Sequence, residues 1–334
     1  MKAAIAGCGI IAAVHARCLA GMKDAELTAF ADIRPERAQE FAKEYGGNAY
    51  ASIDEMLEKE QIDVLHICLP HYLHVPVAIQ ALNAGVNVFM EKPPAISREQ
   101  LKQLQAAEES SEAKLGICFQ NRYNPCTQAV KDLVRSGKPG KILGVRGVVT
   151  WSRGVEYYQD SGWRGTLDKE GGGALINQSV HTLDLMAYLA GTPVTVEASA
   201  GNHHLKNVIE VEDMMEAYIR FEGGAVGCFY ATTAYSSNPK PLIELDCENM
   251  TIRMEDPDAV IYYPDGTKEE MKLPVVMGYG KSYWGSGHDA CIRDFYGCLK
   301  EGKEFWLNLR TLDETIRLML AVYESARGAG ETTV

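Results

Sequence analysis

Over the first 120 residues, apolar positions come in short blocks rather than singly. KAAIA (2–6), ELTAFA (26–31), DVLHICL (63–69), VNVFM (86–90) and KLGICF (114–119) are each separated by a longer stretch with helical periodicity. The blocks read as strands buried on both faces, and the stretches between them as helices. Helix punctuation supports this. Pro35 opens one helix and Gly46 closes it, Ser52 is followed by Glu55 as a capping box, and Ser97 caps a third. Strands alternating with helices predict βαβ units and a doubly wound parallel sheet, an α/β domain over residues 1–120. The pattern then changes. Strands are predicted at 141–152, around 194–201, and at 214–222 and 224–234, the last two joined by a hairpin at Glu222-Gly223-Gly224. Residues 241–256 continue that sheet, helices follow at 288–300 and 309–327, and residues 121–334 form the second domain. Those two helices either close the second domain or pack back on the first.

A doubly wound sheet binds ligands beyond the carboxyl ends of its strands. That singles out Gly7–Ile11, Asp32, Leu69–His74, Glu91–Pro93 and Gln120–Tyr123. Gly7-Cys8-Gly9-Ile10-Ile11-Ala12 is a G-x-G-x-x-A turn between a strand and a helix. Gly7 permits the tight turn, Gly9 lets backbone N–H groups approach a pyrophosphate, and Ala12 lets the helix pack on the strand. Asp32 ends the second strand at about the ~20-residue spacing of the acid that binds ribose hydroxyls. Its charge repels a 2′-phosphate and favours NAD, while Arg34 keeps NADP open.

Lys92 stands at the mouth of the fifth strand next to Glu91, with Pro93 stiffening the turn. An ammonium there favours negative charge developing on a substrate oxygen. In GGGALINQSVHTLDLMAYLAG (171–191), Asn177, His181 and Asp184 fall at i, i+4 and i+7 and share one helix face, while Leu175, Ile176, Val180, Leu183, Leu185 and Met186 pack. A histidine placed between an amide and a carboxylate is suited to accept a hydroxyl proton.

Composition narrows the partners. A formal charge of −12 argues against a nucleic-acid backbone, and no run reaches the ~20 apolar residues of a membrane span. The apolar N-terminus breaks at Gly7 and Gly9 and flows into a helix, so it reads as a buried strand rather than an export signal. Nine scattered cysteines with no CxxC pair fit a reduced, cytoplasmic setting. His71 and His74 lack a third metal ligand at suggestive spacing, and no metal is expected. His203 and His204 read as surface residues, and Lys169 and Glu170 as solvated. Tyr157, Tyr158 and Trp151 lie in a loop-rich stretch, either as a lid or as packing. Trp284 and His288 precede a helix and are candidates to face substrate.

These features together resemble the glucose–fructose oxidoreductase / inositol dehydrogenase / rhizopine-catabolism (Gfo/Idh/MocA) family. The matching segments are GCGIIA, Asp32, LPHYLH (69–74), MEKPPA (90–95), FQNRYNP (119–125), Trp163–Arg164, GGGALINQSVHTLD (171–184) and GHDACIRDFYGCL (287–299), spread over nearly the whole chain. The resemblance implies a Rossmann domain, then an α+β domain built on an open, mostly antiparallel sheet that mediates homodimers or homotetramers. It implies that Lys92 and His181 are the catalytic pair. Leu69, Pro70, His74, Glu91 and Gln120 would line the nicotinamide end, and Arg122, Trp163, Arg164 and His288 would contact the cofactor's ribose or the substrate. The inositol-dehydrogenase pattern has Asp four residues before the histidine. Here it is Asn177, which can orient groups but cannot hold charge, and Asn-Gln at this spot resembles a branch that includes sugar-nucleotide oxidoreductases. The expected reaction moves a hydride between a nicotinamide and a secondary alcohol or ketone of a sugar or cyclitol. A dinucleotide-dependent sensor, or an enzyme with tightly held NAD that uses redox transiently to cleave glycosides, are the alternatives.

Overall fold

The computed structural model describes residues 1–274, 276, 278–279 and 285–334. Trp284 lies outside the described residues. The chain forms two compact units, one gathering Met1–Gln120 and Ser286–Leu312, the other Asn121–Val276 and Asp313–Val334. The cut after residue 120 was expected, but the later chain does not stay in one domain. Ser286–Leu312 returns to the first unit because helix His288–Glu301 buries Cys291, Ile292, Phe295 and Tyr296. Phe295 packs its ring 5.1 Å from Phe89, and Gly116 leaves room for it.

The first unit holds six strands, β1 (Lys2–Ala6), β2 (Glu26–Ala31), β3 (Asn48–Tyr50), β4 (Val64–Ile67), β5 (Asn87–Glu91) and β6 (Leu115–Cys118), in the order β3-β2-β1-β4-β5-β6. Every neighbour pair is parallel. This is the doubly wound order whose strand-order reversal at β1/β4 opens a ligand site. The helices are α1 (Ile10–Ala20), α2 (Pro35–Tyr45), α3 (Ile53–Lys59), α4 (His74–Asn83) and α5 (Arg98–Ser110). The predicted caps form: Ser52 Oγ accepts from Glu55 N at 3.1 Å and Ser97 Oγ from Gln100 N at 3.2 Å. The short edge strand β3 carries no apolar run, so periodicity gave no sign of it.

The second unit contains a nine-stranded sheet. Its strands are β7 (Ile142–Thr150), β8 (Pro193–Gly201), β9 (Met214–Phe221), β10 (Val226–Thr232), β11 (Leu242–Cys247), β12 (Thr251–Glu255), β13 (Asp258–Tyr262), β14 (Lys268–Glu270) and β15 (Thr332–Thr333), ordered β14-β13-β12-β11-β7-β10-β9-β8-β15. Only β10 and β7 run parallel; the other neighbours are antiparallel. Helices α6 (Pro125–Arg135), α7 (Val155–Gln159), α8 (Leu167–Glu170), α9 (Val180–Ala190) and the helix Asp313–Glu324 belong to this part. One sheet face packs on α9. Gly147 permits the close approach, since a Cβ there would collide with Met186 and Thr182. The opposite face, by register, carries Tyr218, Cys228, Arg146, Glu244 and Arg253 across adjacent strands, with Val226 beside them. No helix among the described residues is long and apolar enough to cross a membrane.

Candidate active site

The glycine turn follows β1 directly. Gly7 has φ +86°, and a Cβ there would lie 2.5 Å from the Cys68 carbonyl oxygen, so only glycine fits without backbone movement. At Gly9 a Cβ would meet nothing within 4 Å, which leaves open space where a pyrophosphate would approach the start of α1. Ile10 and Ile11 form the first turn of α1, Ile10 largely exposed. Ala12 is buried against the sheet, as its small size requires.

Asp32 is fixed by backbone donors. Cys8 N donates to Oδ2 and Arg34 N to Oδ1, both at 2.8 Å. An ionised carboxylate offers about four acceptor positions, so capacity remains for ribose hydroxyls, and these residues fit a dinucleotide. Arg34 has an exposed side chain, and its backbone N–H is what serves Asp32.

Around the ends of β4, β5 and β6, Leu69, Pro70 and Lys92 are partly exposed while His74, Glu91 and Gln120 are buried. Lys92 follows the last residue of β5 and is joined to Pro93 by a cis peptide. His74, expected at the nicotinamide end, braces this turn. One ring nitrogen lies 2.8 Å from the Leu69 carbonyl oxygen and the other 2.7 Å from that of Pro93. Burial holds its pKa below the ordinary imidazole value. Gln120 accepts a weak bond from Cys118 Sγ at 3.7 Å. His288 opens helix His288–Glu301 in this same unit and is buried. Burial pushes its pKa down to about 4, and its Nε2 has no hydrogen-bond partner among the described residues.

The second unit carries the other candidates, and three expectations change there. Asn177 sits in a π-helical turn (Ala174–Ser179) and His181 in the first turn of α9. Both are partly exposed amid buried Leu175, Ile176, Val180, Leu183, Leu185 and Met186. Asp184 does not share their exposure. It is wholly buried, accepting from Arg122 Nη2 at 2.6 Å, Arg122 Nε at 3.0 Å and Thr315 Oγ1 at 2.6 Å. Arg122, expected to touch ribose or substrate, is consequently drawn inward, with its guanidinium on Asp184 and over the Tyr188 ring at 4.5 Å. A buried carboxylate requires a paired donor, and Arg122 supplies it.

Glu170, expected to be solvated, supplies the carboxylate beside Asn177 instead. It is 1% exposed and accepts from Asn177 Nδ2 and Gly165 N. Burial pushes its pKa up to about 7. Next to it, Glu212 accepts from Gly173 N, Leu175 N and the Tyr323 hydroxyl, so the glycine-rich turn that leads to Asn177 hangs on a buried carboxylate. Sequence offered one faint clue to Glu170: an acid directly ahead of three glycines. Arg164 lies over the Tyr157 ring at 4.4 Å, with Trp163 adjacent. Tyr157 Oη accepts from Gln178 Nε2 at 2.8 Å, and Tyr158 and Trp151 are buried. These aromatics are packed, and His203 and His204 are exposed as expected.

Residues 1–119 match the family model "Oxidoreductase family, NAD-binding Rossmann fold", and residues 127–253 match the GFO/IDH/MocA C-terminal domain. D-glucoside 3-dehydrogenase from Escherichia coli (strain K12) is 30% identical over 258 residues, 71% of each chain. D-apiose dehydrogenase from Paraburkholderia graminis is 25% identical over 98% of this chain and 88% of its own. Among solved structures, the WlbA dehydrogenase from Bordetella pertussis, in complex with NADH and UDP-GlcNAcA, is similar with a TM-score of 0.86 at 28% identity, covering 100% of this chain and 98% of that one. The glycine turn, the backbone-anchored Asp32 and these matches converge: the chain belongs to the Gfo/Idh/MocA family and is an NAD-binding oxidoreductase.

Proposed function

We propose that the protein is an NAD-dependent dehydrogenase acting on a secondary hydroxyl, or the matching ketone, of a sugar, sugar derivative or cyclitol. The observation that carries this is Lys92, placed directly after β5 in the same parallel sheet whose β1 turn is shaped for the dinucleotide. Bound NAD supplies the hydride acceptor. Lys92 holds its ammonium against the substrate oxygen and stabilises the charge that develops there. His181 takes the hydroxyl proton as general base. Asn177, tied by its amide nitrogen to Glu170, orients substrate hydroxyls rather than titrating. Leu69, Pro70 and Gln120 serve the nicotinamide end, Trp163 and Arg164 the cofactor ribose or substrate, and His288 the substrate.

Two finer readings accompany this one. The nine cysteines are all free, which supports a reduced, cytoplasmic setting. The outward sheet face, with half-exposed Tyr218 and Val226 among charged residues, supports self-association into a homodimer or homotetramer.

The test is NADH formation from NAD or NADP with a panel of cyclitols, free sugars, sugar phosphates and UDP-linked sugars. The UDP-linked sugars are included because the WlbA likeness spans the whole chain. Turnover with one class is expected. Lys92→Ala should cost on the order of 10²–10³-fold in kcat, the scale of losing one preorganised oxyanion donor, with NADH affinity nearly intact. Wild-type-like turnover by that variant sinks the role of Lys92. No NADH release across the panel, with NAD recovered from the denatured protein, would instead favour the tightly held cofactor.

A further inference from the structure

A ladder of buried polar groups crosses the first unit and ends beside Lys92. Tyr296 Oη lies 2.9 Å from His66 Nε2, His66 Nδ1 lies 2.9 Å from His15 Nδ1, and His15 Nε2 lies 3.0 Å from Glu91 Oε1. His15 and His66 are wholly inaccessible, and Glu91 and Tyr296 nearly so. The carboxylate fixes one end: an ionised carboxylate only accepts, so His15 Nε2 carries the N–H. Burial holds His66 well below its ordinary pKa, so His66 is a neutral ring whose two nitrogens, one a donor and one an acceptor, link His15 to Tyr296.

Two other uses of the ladder fail on the same chemistry. As a proton wire to Glu91 it would leave Tyr296 a phenolate, yet burial holds that hydroxyl well above its ordinary pKa. As a cation site, His15, Glu91 and Cys118 place ligand atoms within 4.8 Å of one another. However, burial keeps the Cys118 thiol protonated, and the His15 N–H is spent on Glu91. What remains is a lock on an anion. Burial alone would push the Glu91 carboxyl up, but the His15 hydrogen bond and the charges around it outweigh burial and hold it well below the usual range. The titratable groups that feel Glu91 are His15 on α1, His66 and Cys68 at β4, His74 on α4, Cys118 on β6, His288 on the 288–301 helix, and Lys92 itself. Burial lowers the pKa of His66, His74 and His288 and raises those of Cys68 and Cys118, which leaves the hydrogen-bonded His15 and the Lys92 ammonium as the groups that favour the Glu91 anion. Glu91 Oε2 also accepts from Lys92 N at 3.3 Å.

We propose that His15 is a positioning residue for Lys92. Reaching from the helix that begins at the dinucleotide turn, it fixes Glu91 as an oriented anion, and Glu91 in turn holds the Lys92 turn and favours the ammonium form of the Lys92 side chain. The consequence for turnover rests on the role proposed above for Lys92; the effect on the ammonium itself does not. The experiment reads that ammonium directly. The full-length protein is reductively methylated with 13C-formaldehyde, the Lys92 signal is assigned by its loss in Lys92→Ala, and its pKa is titrated by NMR with and without NADH. In His15→Leu, Glu91 loses its donor and takes a proton, and the Lys92 pKa should fall by about one unit or more, the scale of losing a nearby opposite charge. Glu91→Gln should give the same fall, and the double variant no more. His15→Gln, whose amide can still donate to Glu91, should keep most of the wild-type value, which simple loss of packing would not predict. A Lys92 pKa unmoved in a folded His15→Leu protein overturns the proposal. If that variant does not fold, a Lys92 pKa unmoved in Glu91→Gln overturns it equally. Should Lys92→Ala leave turnover intact while the titrations behave as expected, the catalytic reading falls and the lock stands.

Discussion

Removing Arg122 should damage the fold rather than substrate recognition. The guanidinium and the Asp184 carboxylate are 6% and 0% accessible, and the carboxylate takes two arginine bonds and one from Thr315. Arg122→Met leaves Asp184 buried with one neutral donor. Breaking a buried pair from one side costs about 3–5 kcal/mol, because the remaining charge is uncompensated. For a unit of roughly 150–250 residues, one kcal/mol corresponds to about 2–4 °C, so a drop of about 6–20 °C is expected. Because the two units need not melt together, the assay is calorimetry with and without NADH. The transition that NADH shifts reports the first unit and should stay in place in the variant, while the other falls. The double variant Arg122→Met, Asp184→Leu should recover most of the loss, since replacing both partners with apolar groups is often neutral. An unchanged melting profile together with a raised substrate KM would refute this reasoning and return Arg122 to the substrate.

Further expectations concern the cofactor and pH. Gly7→Ala puts a Cβ 2.5 Å from the Cys68 carbonyl oxygen at a φ of +86°, so the turn must shift, and NADH titration should show affinity weakened about tenfold or more; unchanged affinity would mean the turn does not cradle the phosphates. Asp32→Ala should move the NAD-to-NADP ratio of kcat/KM toward NADP by about tenfold, with Arg34 then free to meet a 2′-phosphate, and a constant ratio would deny Asp32 that discrimination. Burial raises Glu170 from an ordinary carboxylate value to about 7, so its contribution to stability is complete below the unfolded carboxylate pKa and lost as pH rises through about 7. Glu170→Gln should therefore flatten the decline in melting temperature between about pH 4.5 and 7, whereas parallel curves for the two proteins would contradict that protonation.

Some of the site was legible because it is written in contiguous residues. A glycine turn needs one strand before it and one helix after it, and Asp32 needs only the end of the next strand, so Gly7, Gly9 and Asp32 declare themselves locally. Lys92 was found because strand ends can be located from apolar runs. The helix stripe of Asn177, His181 and Asp184 was read from an even helical spacing. A π turn at Ala174–Ser179 changes the spacing from Asn177 to His181, and Asp184 finds its partner 62 residues away.

The sequence by itself determined most of the elements, the parallel sheet, the dinucleotide turn and the place of Lys92 after β5, because each depends on periodicity, caps and turn chemistry within a few neighbouring residues. Only the tertiary structure decided which buried polar groups meet. His15 reaches His66 across 51 residues and Glu91 across 76, and His66 reaches Tyr296 across 230. Asp184, expected beside His181, is buried on Arg122, and Glu170, expected in solvent, is buried on Asn177. Burial makes an unpaired charge costly, so each such group must find a partner wherever the fold brings one, and that pairing has no signature along the chain.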